Sequence, residues 1–386
     1  MGLEIDVRQW FDAQRGDALG FLGRMVDINS HTSHPDGVDE VQELLEGEFR
    51  ALGMTTKFIE HDGYGRHLIA TTPAVDRSSR SNIMLVGHAD TVFEFDSDPR
   101  PFRIDGDWAY GDGVADDKGG VLCILWALRV LKEAGLLHRL PVVVYISSME
   151  EDPAPIPERV TESFRQVVSS ALVFEPGRKG DCVITRRRGL GRFEVIVEGR
   201  RAHAGNDHKD GASAIRELAR LVLAFEALTD YAANVTVNIG TIQGGTAPNV
   251  VPGRARASFE VRVPDAEAFR AVRERMFALS SKPSVKGTRV QLRLIRAVAP
   301  LEETEESRAL YASYHEHAQN SGLQYDVCPL VGGGSDANFL ASLGIPCIDG
   351  LGPYGENFHA TNERLLIPSI GPKVANLAYW LAAQLA

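Results

Sequence analysis

Histidine and carboxylate side chains recur in this sequence at or near the ends of short apolar segments. The residues concerned are His88, Asp90, Asp116, Glu150, Glu151, Glu175 and His359. Imidazole and carboxylate ligands without a thiolate suit zinc or a similar divalent ion. A carboxylate can also bridge two ions, about 3.5–4 Å apart, through its two oxygens. Since Glu150 and Glu151 are adjacent, one would bind metal while the other accepts a proton from water.

Each of these features also has a plain structural explanation. A single histidine after a strand is more often a hydrogen-bonded loop residue than a ligand, and a glutamate pair is more often solvated surface charge. Asp116 and Asp117 could simply cap the helix that follows them and complement its dipole. The joint placement favours a site, because open α/β sheets bind ligands beyond the carboxyl ends of their strands.

The hydrophobic pattern predicts the elements that would position these side chains. Near-continuous apolar runs, which are typical of buried parallel strands, occur at 83–86, 142–146, 171–174 and 345–348. Helical periodicity predicts helices at 16–28, 37–53 and 121–131. Strands that alternate with helices predict an α/β fold with a mixed, mostly parallel sheet and helices on both faces.

Residues 190–300 follow a different pattern. Strict alternation of apolar and polar residues, which indicates antiparallel strands with one solvated face, occurs at 193–198, 235–239 and 257–263. Helices are predicted at 211–227 and 265–279. The resulting β-α-β-β-α-β order indicates an inserted α+β domain of the ferredoxin-like type. We therefore expect a discontinuous larger domain at 1–189 and 301–386, and an inserted domain at 190–300.

Composition excludes several classes of protein. The 386 residues include 41 Lys and Arg against 52 Asp and Glu, a net charge of −11 that does not fit nucleic-acid binding. No apolar stretch approaches the ~20 residues of a membrane span, and the amino terminus lacks the apolar region of a signal peptide. The four cysteines form no C-x-x-C pair, so we expect them to be reduced in a cytoplasmic protein.

Eight segments carry a family resemblance. They are Gly87–Val92, Gly111–Gly120, Met149–Glu151, Val173–Pro176, Arg201–Gly205, Gly244–Pro252, Gly332–Ala337 and the segment around His359. In type and order they resemble the M20 metallopeptidase family, and most closely its glutamate carboxypeptidase-like branch. The family also contains aminoacylase, acetylornithine deacetylase and succinyl-diaminopimelate desuccinylase. The resemblance covers about residues 20 to 380.

The resemblance implies two divalent ions in each subunit, zinc in the first place and cobalt or manganese as other candidates. His88, Asp116 and Glu175 would hold one ion. Asp116, Glu151 and His359 would hold the other, so that Asp116 bridges the pair.

The resemblance also implies a role for three residues that need not bind metal. Glu150 would be the general base, and Asp90 the carboxylate that orients His88. The larger domain would be the catalytic domain, and the inserted domain at 190–300 would serve as a lid and as the dimerisation domain of a homodimer. His203 lies in the inserted domain and would stabilise the oxyanion in the partner's active site. Without the family, His203 would be interpreted as an ordinary residue at the end of a strand.

Substrate contacts are implied for a further set of residues. Arg262 and Asn249 would bind the free carboxylate and nearby polar groups of the substrate, and the backbone of Gly333 and Gly334 would line the cleft. Arg262 could instead be a surface residue paired with an acid, and Asn249 a turn residue. The sequence departs from the family pattern at 152–157, where prolines replace the usual Gly-Ser turn, and this departure bears on specificity.

The expected reaction is hydrolysis of an amide bond in a small peptide or an N-acyl amino acid. A carboxypeptidase that releases C-terminal glutamate or a similar residue is the first interpretation, and an N-acyl amino acid deacylase or a dipeptidase is the alternative. A non-catalytic peptide-binding member is disfavoured because the five ligands and Glu150 are all present. A serine hydrolase using Ser335 is a weak alternative, since the final Gly of the G-x-S-x-G motif is missing.

Overall fold

The computed structural model describes residues 3–95, 100–151, 158–324 and 326–385. The proline-rich segment 152–157, where the sequence departs from the family pattern, lies outside the described residues. The chain forms two compact units. The first comprises Met1–Thr185, Glu303–Pro329 and Ser335–Ala386, and the second comprises Arg186–Glu302 and Leu330–Gly334.

Helices and strands account for most of the described residues. The α-helices are α1 (Val7–Val26), α2 (Pro35–Ala51), α3 (Lys118–Glu133), α4 (Glu158–Val167), α5 (Ala214–Glu226), α6 (Ala266–Ser280), α7 (Glu305–His315), α8 (Ala318–Ser321), α9 (Asp336–Ser342) and α10 (Ile370–Ala383). The strands are β1 (Thr55–Ile59), β2 (His67–Thr71), β3 (Asn82–His88), β4 (Arg103–Asp105), β5 (Trp108–Tyr110), β6 (Val142–Ser147), β7 (Val168–Val173), β8 (Gly189–Glu198), β9 (Thr236–Gly244), β10 (Arg254–Val263), β11 (Arg289–Val298), β12 (Cys347–Ile348), β13 (Gly355–Glu356) and β14 (Arg364–Leu366).

The main sheet of the first unit has the order β1-β2-β6-β3-β7-β12. Strands β6, β3, β7 and β12 run parallel, while β1 and β2 are antiparallel additions at one edge. Every residue of β3 and β6 is buried, which explains their continuous apolar sequence. The predicted mixed α/β fold is confirmed. Helix α1 begins earlier than predicted because Asp6 caps it, accepting a hydrogen bond from the Gln9 amide at 3.1 Å.

The second unit is an antiparallel sheet with the order β11-β8-β10-β9, covered by α5 and α6. Residues of β10 alternate between exposed and buried positions along the first half of the strand, as its sequence pattern predicts. The core contains stacked rings of Phe193 and Phe259, with centroids 5.4 Å apart. The sequence placed 330–334 outside this domain, but the carbonyl of Val331 accepts a hydrogen bond from the Arg188 amide at 2.9 Å. The segment therefore groups with the second unit.

Two of the four cysteines are not reduced. Cys182 and Cys328 form a disulfide, whereas Cys123 and Cys347 are free and buried. The expectation of four reduced cysteines is therefore wrong. The pair is separated by 146 positions and is brought together by a parallel bridge between Val183 and Val327, which no local spacing reveals. The cytoplasmic location stays a prediction, and the disulfide weighs against it because cytosolic thiols are kept reduced. None of the described helices is both long and apolar enough to cross a bilayer.

Candidate metal centre

The candidate ligands lie at the carboxyl ends of neighbouring parallel strands. His88 is the last residue of β3, Glu150 and Glu151 follow β6, and Glu175 follows β7. Strand β3 lies between the other two, so the three strands present these side chains at one edge of the sheet. Asp116 reaches the same edge from the loop before α3.

Asp116 lies between two histidines and presents one oxygen to each. Its Oδ1 is 3.2 Å from Nε2 of His88, and its Oδ2 is 3.4 Å from Nε2 of His359. The same His359 nitrogen is 3.2 Å from Oε2 of Glu151, and the His88 nitrogen is 3.7 Å from Oε1 of Glu175. The five side chains therefore form two groups that share Asp116.

These distances fit a metal coordination shell. Two ligands held at about 2.0–2.1 Å from a tetrahedral ion lie about 3.3 Å from each other, close to the separations around Asp116. Ligand atoms of His88, Asp116 and Glu151 lie within 4.8 Å of one another, and so do those of His88, Glu150 and Glu175. The donor set contains imidazoles and carboxylates, which suits zinc and similar divalent ions. The residues present thus fit a metal site.

Hydrogen bonding sets the tautomer of His88. Its Nδ1 lies 2.9 Å from the backbone carbonyl of Asp90, which can only accept, so Nδ1 carries the proton. In the neutral ring, Nε2 then has a free lone pair, and this is the nitrogen that faces Asp116 and Glu175. A partner on the distal nitrogen is the usual way in which proteins orient a histidine ligand.

The electrostatics of the cluster favour bound positive charge. Burial raises the pKa of Glu150 well above its usual value, and the nearby Glu175 carboxylate raises it further. Hydrogen bonds that His359 donates to the carboxylates of Asp116 and Glu151 raise the pKa of His359 to about 10, despite its partial burial. The carboxylates therefore hold protons on their neighbours when no other cation is present. Divalent ions would compensate the same negative charge.

The carboxylate of Asp90 connects the strand of His88 to the glutamate pair. It accepts hydrogen bonds from the Thr32 hydroxyl at 2.7 Å and from the backbone amides of Glu150 and Glu151 at 3.0 and 3.1 Å. Its Oδ1 is 3.5 Å from Nδ1 of His88, farther than the Asp90 carbonyl. The family resemblance implies that the Asp90 side chain orients His88. In the structure, the backbone carbonyl of Asp90 makes the shorter contact with the His88 ring.

Replacement of Asp90 by Asn should weaken metal binding by about 10- to 100-fold, the usual cost of removing a supporting contact. Each carboxylate oxygen of Asp90 accepts from one of the backbone amides of Glu150 and Glu151. Asn has an NH2 donor in place of one oxygen, so one of these two amides loses its acceptor. Competition with a chromophoric chelator measures the change in Kd. Thr32→Val is the matched control, because it removes one hydroxyl donor and keeps the carboxylate. An Asp90→Asn protein with native circular dichroism and unchanged metal affinity would contradict this role.

The sequence gives little sign of Glu363, which supports the backbone of Asp116, the candidate ligand that both groups share. Its Oε1 accepts hydrogen bonds from the amides of Ala115 and Asp116 at 2.8 and 3.0 Å. Burial raises its pKa to about 8, with a further contribution from the Asp116 carboxylate. The only signal available was its position four residues after His359 in the same segment.

The sequence suggests only a helix-capping role for Asp117. It occupies the N-cap position of α3, but its side chain makes no capping hydrogen bond. Instead, its Oδ2 accepts from the backbone amide of His88 at 3.2 Å. A buried carboxylate thus ties the loop of Asp116 to the end of β3, a contact that is not visible in the sequence.

His203 and Asn249 lie on neighbouring segments of the second unit. His203 is exposed, and its Nδ1 accepts from the amides of Gly205 and Asn206 at 3.2 and 3.1 Å. The Ala204 amide donates to the carbonyl of Asn249 at 3.0 Å. Because Nδ1 accepts the amide protons of Gly205 and Asn206, Nε2 carries the proton of the neutral ring. The expected role of His203 requires such a hydrogen-bond donor.

Arg262 and the glycine loop are connected within the second unit. The Arg262 guanidinium donates to Oε1 of Glu260 at 2.5 Å and to the carbonyl of Gly332 at 2.6 Å. The carbonyls of Gly333 and Gly334 accept from Nη1 of Arg187 at 3.1 and 3.3 Å. The pairing with Glu260 agrees with Arg262 being a surface residue paired with an acid. Substrate binding by Arg262, Asn249, Gly333 and Gly334 stays a prediction.

The hydroxyl of Ser335 caps a helix. It accepts from the Ala337 amide at 3.2 Å at the start of α9, and it donates to Oδ2 of Asp349 at 2.6 Å. A serine nucleophile is instead activated by a base that takes its proton, usually a histidine. The contacts of Ser335 therefore weigh against a serine hydrolase.

Known proteins resemble this chain over most of its length. The model of the M20 peptidase dimerisation domain matches residues 185–288. Carboxypeptidase G2 of Pseudomonas sp. (strain RS-16) is 27% identical over 368 residues, which cover 94% of this chain and 88% of that protein. Succinyl-diaminopimelate desuccinylase of Xanthomonas oryzae is 28% identical over 349 residues, or 85% of this chain and 89% of that protein.

Solved structures share the fold. Aminopeptidase PepT from Bacillus cereus superposes with a TM-score of 0.76 at 23% identity, over 96% of this chain and 99% of that chain. An M20 family metallo-carboxypeptidase from Sulfolobus solfataricus gives a TM-score of 0.72 at 16% identity, over 95% and 98% of the two chains.

Proposed function

We propose that this chain, which matches the M20 peptidase dimerisation domain at residues 185–288 and resembles M20 metallopeptidases over most of its length, hydrolyses an amide bond next to a free carboxylate. The first candidate is a carboxypeptidase that releases C-terminal glutamate or a similar amino acid. The observation that carries the proposal is the position of Asp116 between His88 and His359, with Glu151 and Glu175 beside them. The similarity to carboxypeptidase G2 over 94% of the chain supports the carboxypeptidase.

Removal of an acyl group from an N-acyl amino acid is the second candidate. It is favoured by the similarity to several succinyl-diaminopimelate desuccinylases, at 25–29% identity. Both candidates use the same bond type and the same free carboxylate, and they differ in what lies on the acyl side of the bond.

We assign two divalent ions, zinc in the first place, to the five ligands. His88 and Glu175 would hold one ion, Glu151 and His359 the other, and Asp116 both. When bound, the ions would lower the pKa of a coordinated water towards about 7 and polarise the amide carbonyl.

Glu150 is the residue that moves protons in this proposal. It lies next to the ligand Glu151 and within the cluster of His88 and Glu175. Its carboxylate would accept a proton from the attacking water and return it to the leaving amine.

The second unit would supply the dimer contact and the contacts to the substrate's polar groups. The matched dimerisation domain covers most of this unit, and two large apolar side chains, Leu223 on α5 and Ile242 on β9, are 74% and 58% exposed. Such exposure supports a homodimer, because a partner would bury these side chains. His203 would donate to the oxyanion in the partner's site, and Arg262 and Asn249 would bind the substrate carboxylate.

A substrate panel tests the proposal. The protein is stripped of metal, reloaded with zinc, cobalt or manganese, and incubated with N-acyl amino acids, N-blocked dipeptides and free dipeptides. We expect release of the free amino acid, with glutamate conjugates cleaved fastest. Matched α-carboxamides should be cleaved at least about 100-fold more slowly, because they lack the charge that Arg262 would bind. Equal cleavage of acids and amides, or no cleavage with any metal, would contradict the proposal.

A further inference from the structure

The second unit differs in charge from the rest of the chain. It contains 20 Lys and Arg against 12 Asp and Glu, a net charge of +8. The remaining residues contain 21 Lys and Arg against 40 Asp and Glu, a net charge of −19. A surface with an excess of one charge attracts ligands of the opposite charge. The second unit is therefore the part of this acidic chain that would attract an anion.

A groove of about 600 Å³ in the second unit carries three arginines. Arg201, Arg254 and Arg256 line it together with Gln243, Thr246 and several glycines. Among the described residues that line the groove, none is acidic and none is aromatic. Its size lies within the range of small-molecule sites. The groove thus has the chemistry of an anion site, without a ring on which a nucleotide base could stack.

Strand alternation places two of these arginines on the face of the sheet that α5 and α6 leave open. Arg254 and Arg256 are exposed, whereas Ala255 and Ala257 are buried in the core beneath the helices. Ile242, which a dimer partner would bury, lies opposite Ala257 in the register of β9 and β10. It therefore shares the helix-covered face, and the two arginines lie on the other face.

The arginines of the groove have neutral partners. Nε and Nη2 of Arg256 donate to Oε1 of Gln243 at 3.0 and 2.7 Å. Nη2 of Arg201 donates to the Thr246 hydroxyl at 3.3 Å. The side chain of Arg254 forms no hydrogen bond or ion pair with the described part of the chain. An anion in the groove would therefore meet guanidinium groups whose charge these partners do not neutralise.

Two acids lie on β8, which borders β10 on the side away from β9. Oε1 of Glu194 is 3.9 Å from Nη1 of Arg256, and its Oε2 is 4.0 Å from Nη1 of Arg293. Glu198 lies opposite Arg254 in the strand register, without an ion pair between the two described side chains. Long, exposed pairs of this kind are weak. The two acids thus compensate the arginines of β10 only in part, and from outside the groove.

Arg201 lies beside the start of β10 because a glycine makes room for its stem. The Gly199 amide donates to the Gly253 carbonyl at 2.9 Å, which joins the segment of Arg201 to the residue before β10. A Cβ at Gly253 would lie 2.6 Å from Cγ of Arg201. A larger residue at this position would therefore push the aliphatic part of Arg201 away from the backbone.

From this geometry we propose that the groove binds a small molecule with at least two anionic oxygen groups, of the phosphate or carboxylate type. Guanidinium groups bind both kinds of group through two parallel hydrogen bonds. Three arginines match two or more negative charges, whereas a molecule with a single charge would leave part of the positive charge uncompensated. The site lies within the second unit, and the inference does not rest on the proposed amide hydrolysis.

Isothermal titration calorimetry of the metal-loaded full chain tests the site. Sulfonates are suitable probes, because they carry anionic oxygens but are not among the usual ligands of zinc in proteins. Ethane-1,2-disulfonate should bind with a Kd of about 1 mM or lower. At the same ionic strength, it should bind at least about tenfold more tightly than methanesulfonate, which has one charge.

Two arginine variants test the residues. Arg254→Gln and Arg201→Gln should each weaken binding of the disulfonate by at least about fivefold, since each removes one charged donor. Arg270→Gln is the matched control, because it removes the same charge at an exposed position of α6. It should change the Kd by less than about twofold. Circular dichroism shows that each variant is folded.

Competition distinguishes the two kinds of anionic group. Succinate carries two carboxylates and pyrophosphate two phosphates, and at least one of them should displace the disulfonate. Metal content is measured before and after, because both competitors can also bind zinc. Displacement by neither would contradict the proposal.

Three further results would overturn the site. They are a Kd above about 1 mM for the disulfonate, no preference for it over methanesulfonate, and an unchanged Kd in both Arg254→Gln and Arg201→Gln. Each of them would leave the proposed amide hydrolysis standing, because Arg201, Arg254 and Arg256 have no role in that reaction.

Discussion

Replacement of Glu150 by Gln should abolish turnover while the protein keeps its metal. Gln has the shape of Glu but cannot accept the proton of the attacking water, and a general base contributes typically about 10²- to 10⁴-fold to the rate. We expect kcat to fall by at least about 100-fold. Because Glu150 is assigned no ligand role, elemental analysis should find the wild-type metal content.

Two results would contradict the role of Glu150. One is a kcat within about threefold of wild type, since the reaction would then not need Glu150 as its base. The other is loss of metal together with loss of activity, which would make Glu150 a ligand and reopen the roles of the adjacent glutamates. Glu305→Gln, at an exposed position of α7, is the control for the substitution itself and should leave both quantities unchanged.

Mixing of two inactive variants should restore activity if sites are shared between subunits. His203→Ala and Glu150→Ala are each expected to lose at least about 100-fold in kcat. In a mixed dimer, one site would combine Glu150 of one subunit with His203 of its partner. With random exchange, half of the dimers are mixed and half of their sites are complete, so about a quarter of the wild-type activity should return.

The control for subunit sharing is a mixture of Glu150→Ala with His88→Ala. Both residues would serve the same subunit's site, so this mixture should stay inactive. Native mass spectrometry measures the fraction of mixed dimers in each experiment. An inactive mixture of His203→Ala and Glu150→Ala, in the presence of mixed dimers, would exclude action of His203 across the interface.

The central strands, and the place where the candidate ligands follow them, could be predicted from the sequence because the strands are buried. Strands β3 and β6 are buried along their whole length, so their sequences are apolar up to the point where His88 and the glutamate pair follow. Helix α3 was predicted within three residues at each end, because its periodic sequence spans a largely buried helix. These signals lie within short windows of the chain, so one sequence is enough to show them.

The parts of the fold that were missed depend on contacts between distant segments. Strands β4, β5, β13 and β14 form a small sheet of two- and three-residue strands, too short for a periodic pattern. The disulfide joins cysteines 146 positions apart. Neither feature leaves a signal within a window of the sequence.

The supporting contacts of the candidate site were missed for a related reason. Glu363 and Asp117 act on backbone amides, through the N–H groups of Asp116 and His88 respectively. Every residue except proline carries the same backbone N–H group, so residue type and spacing do not show which side chain accepts its hydrogen bond. The roles of Glu150 and Glu151 depend on the family resemblance. The residues alone predict that one glutamate binds metal and the other accepts a proton from water, but not which one does which.

The count of ions bound by the metal-free protein tests the central claim most directly. Titration with Co²⁺, followed by visible absorption and checked by elemental analysis, should give two ions per chain in the wild type. His88→Ala and His359→Ala should each lose one tight site, and Asp116→Ala should lose both, because Asp116 faces both histidines. No tight binding by the wild type, or two tight ions retained by Asp116→Ala, would contradict a bridged pair at this centre.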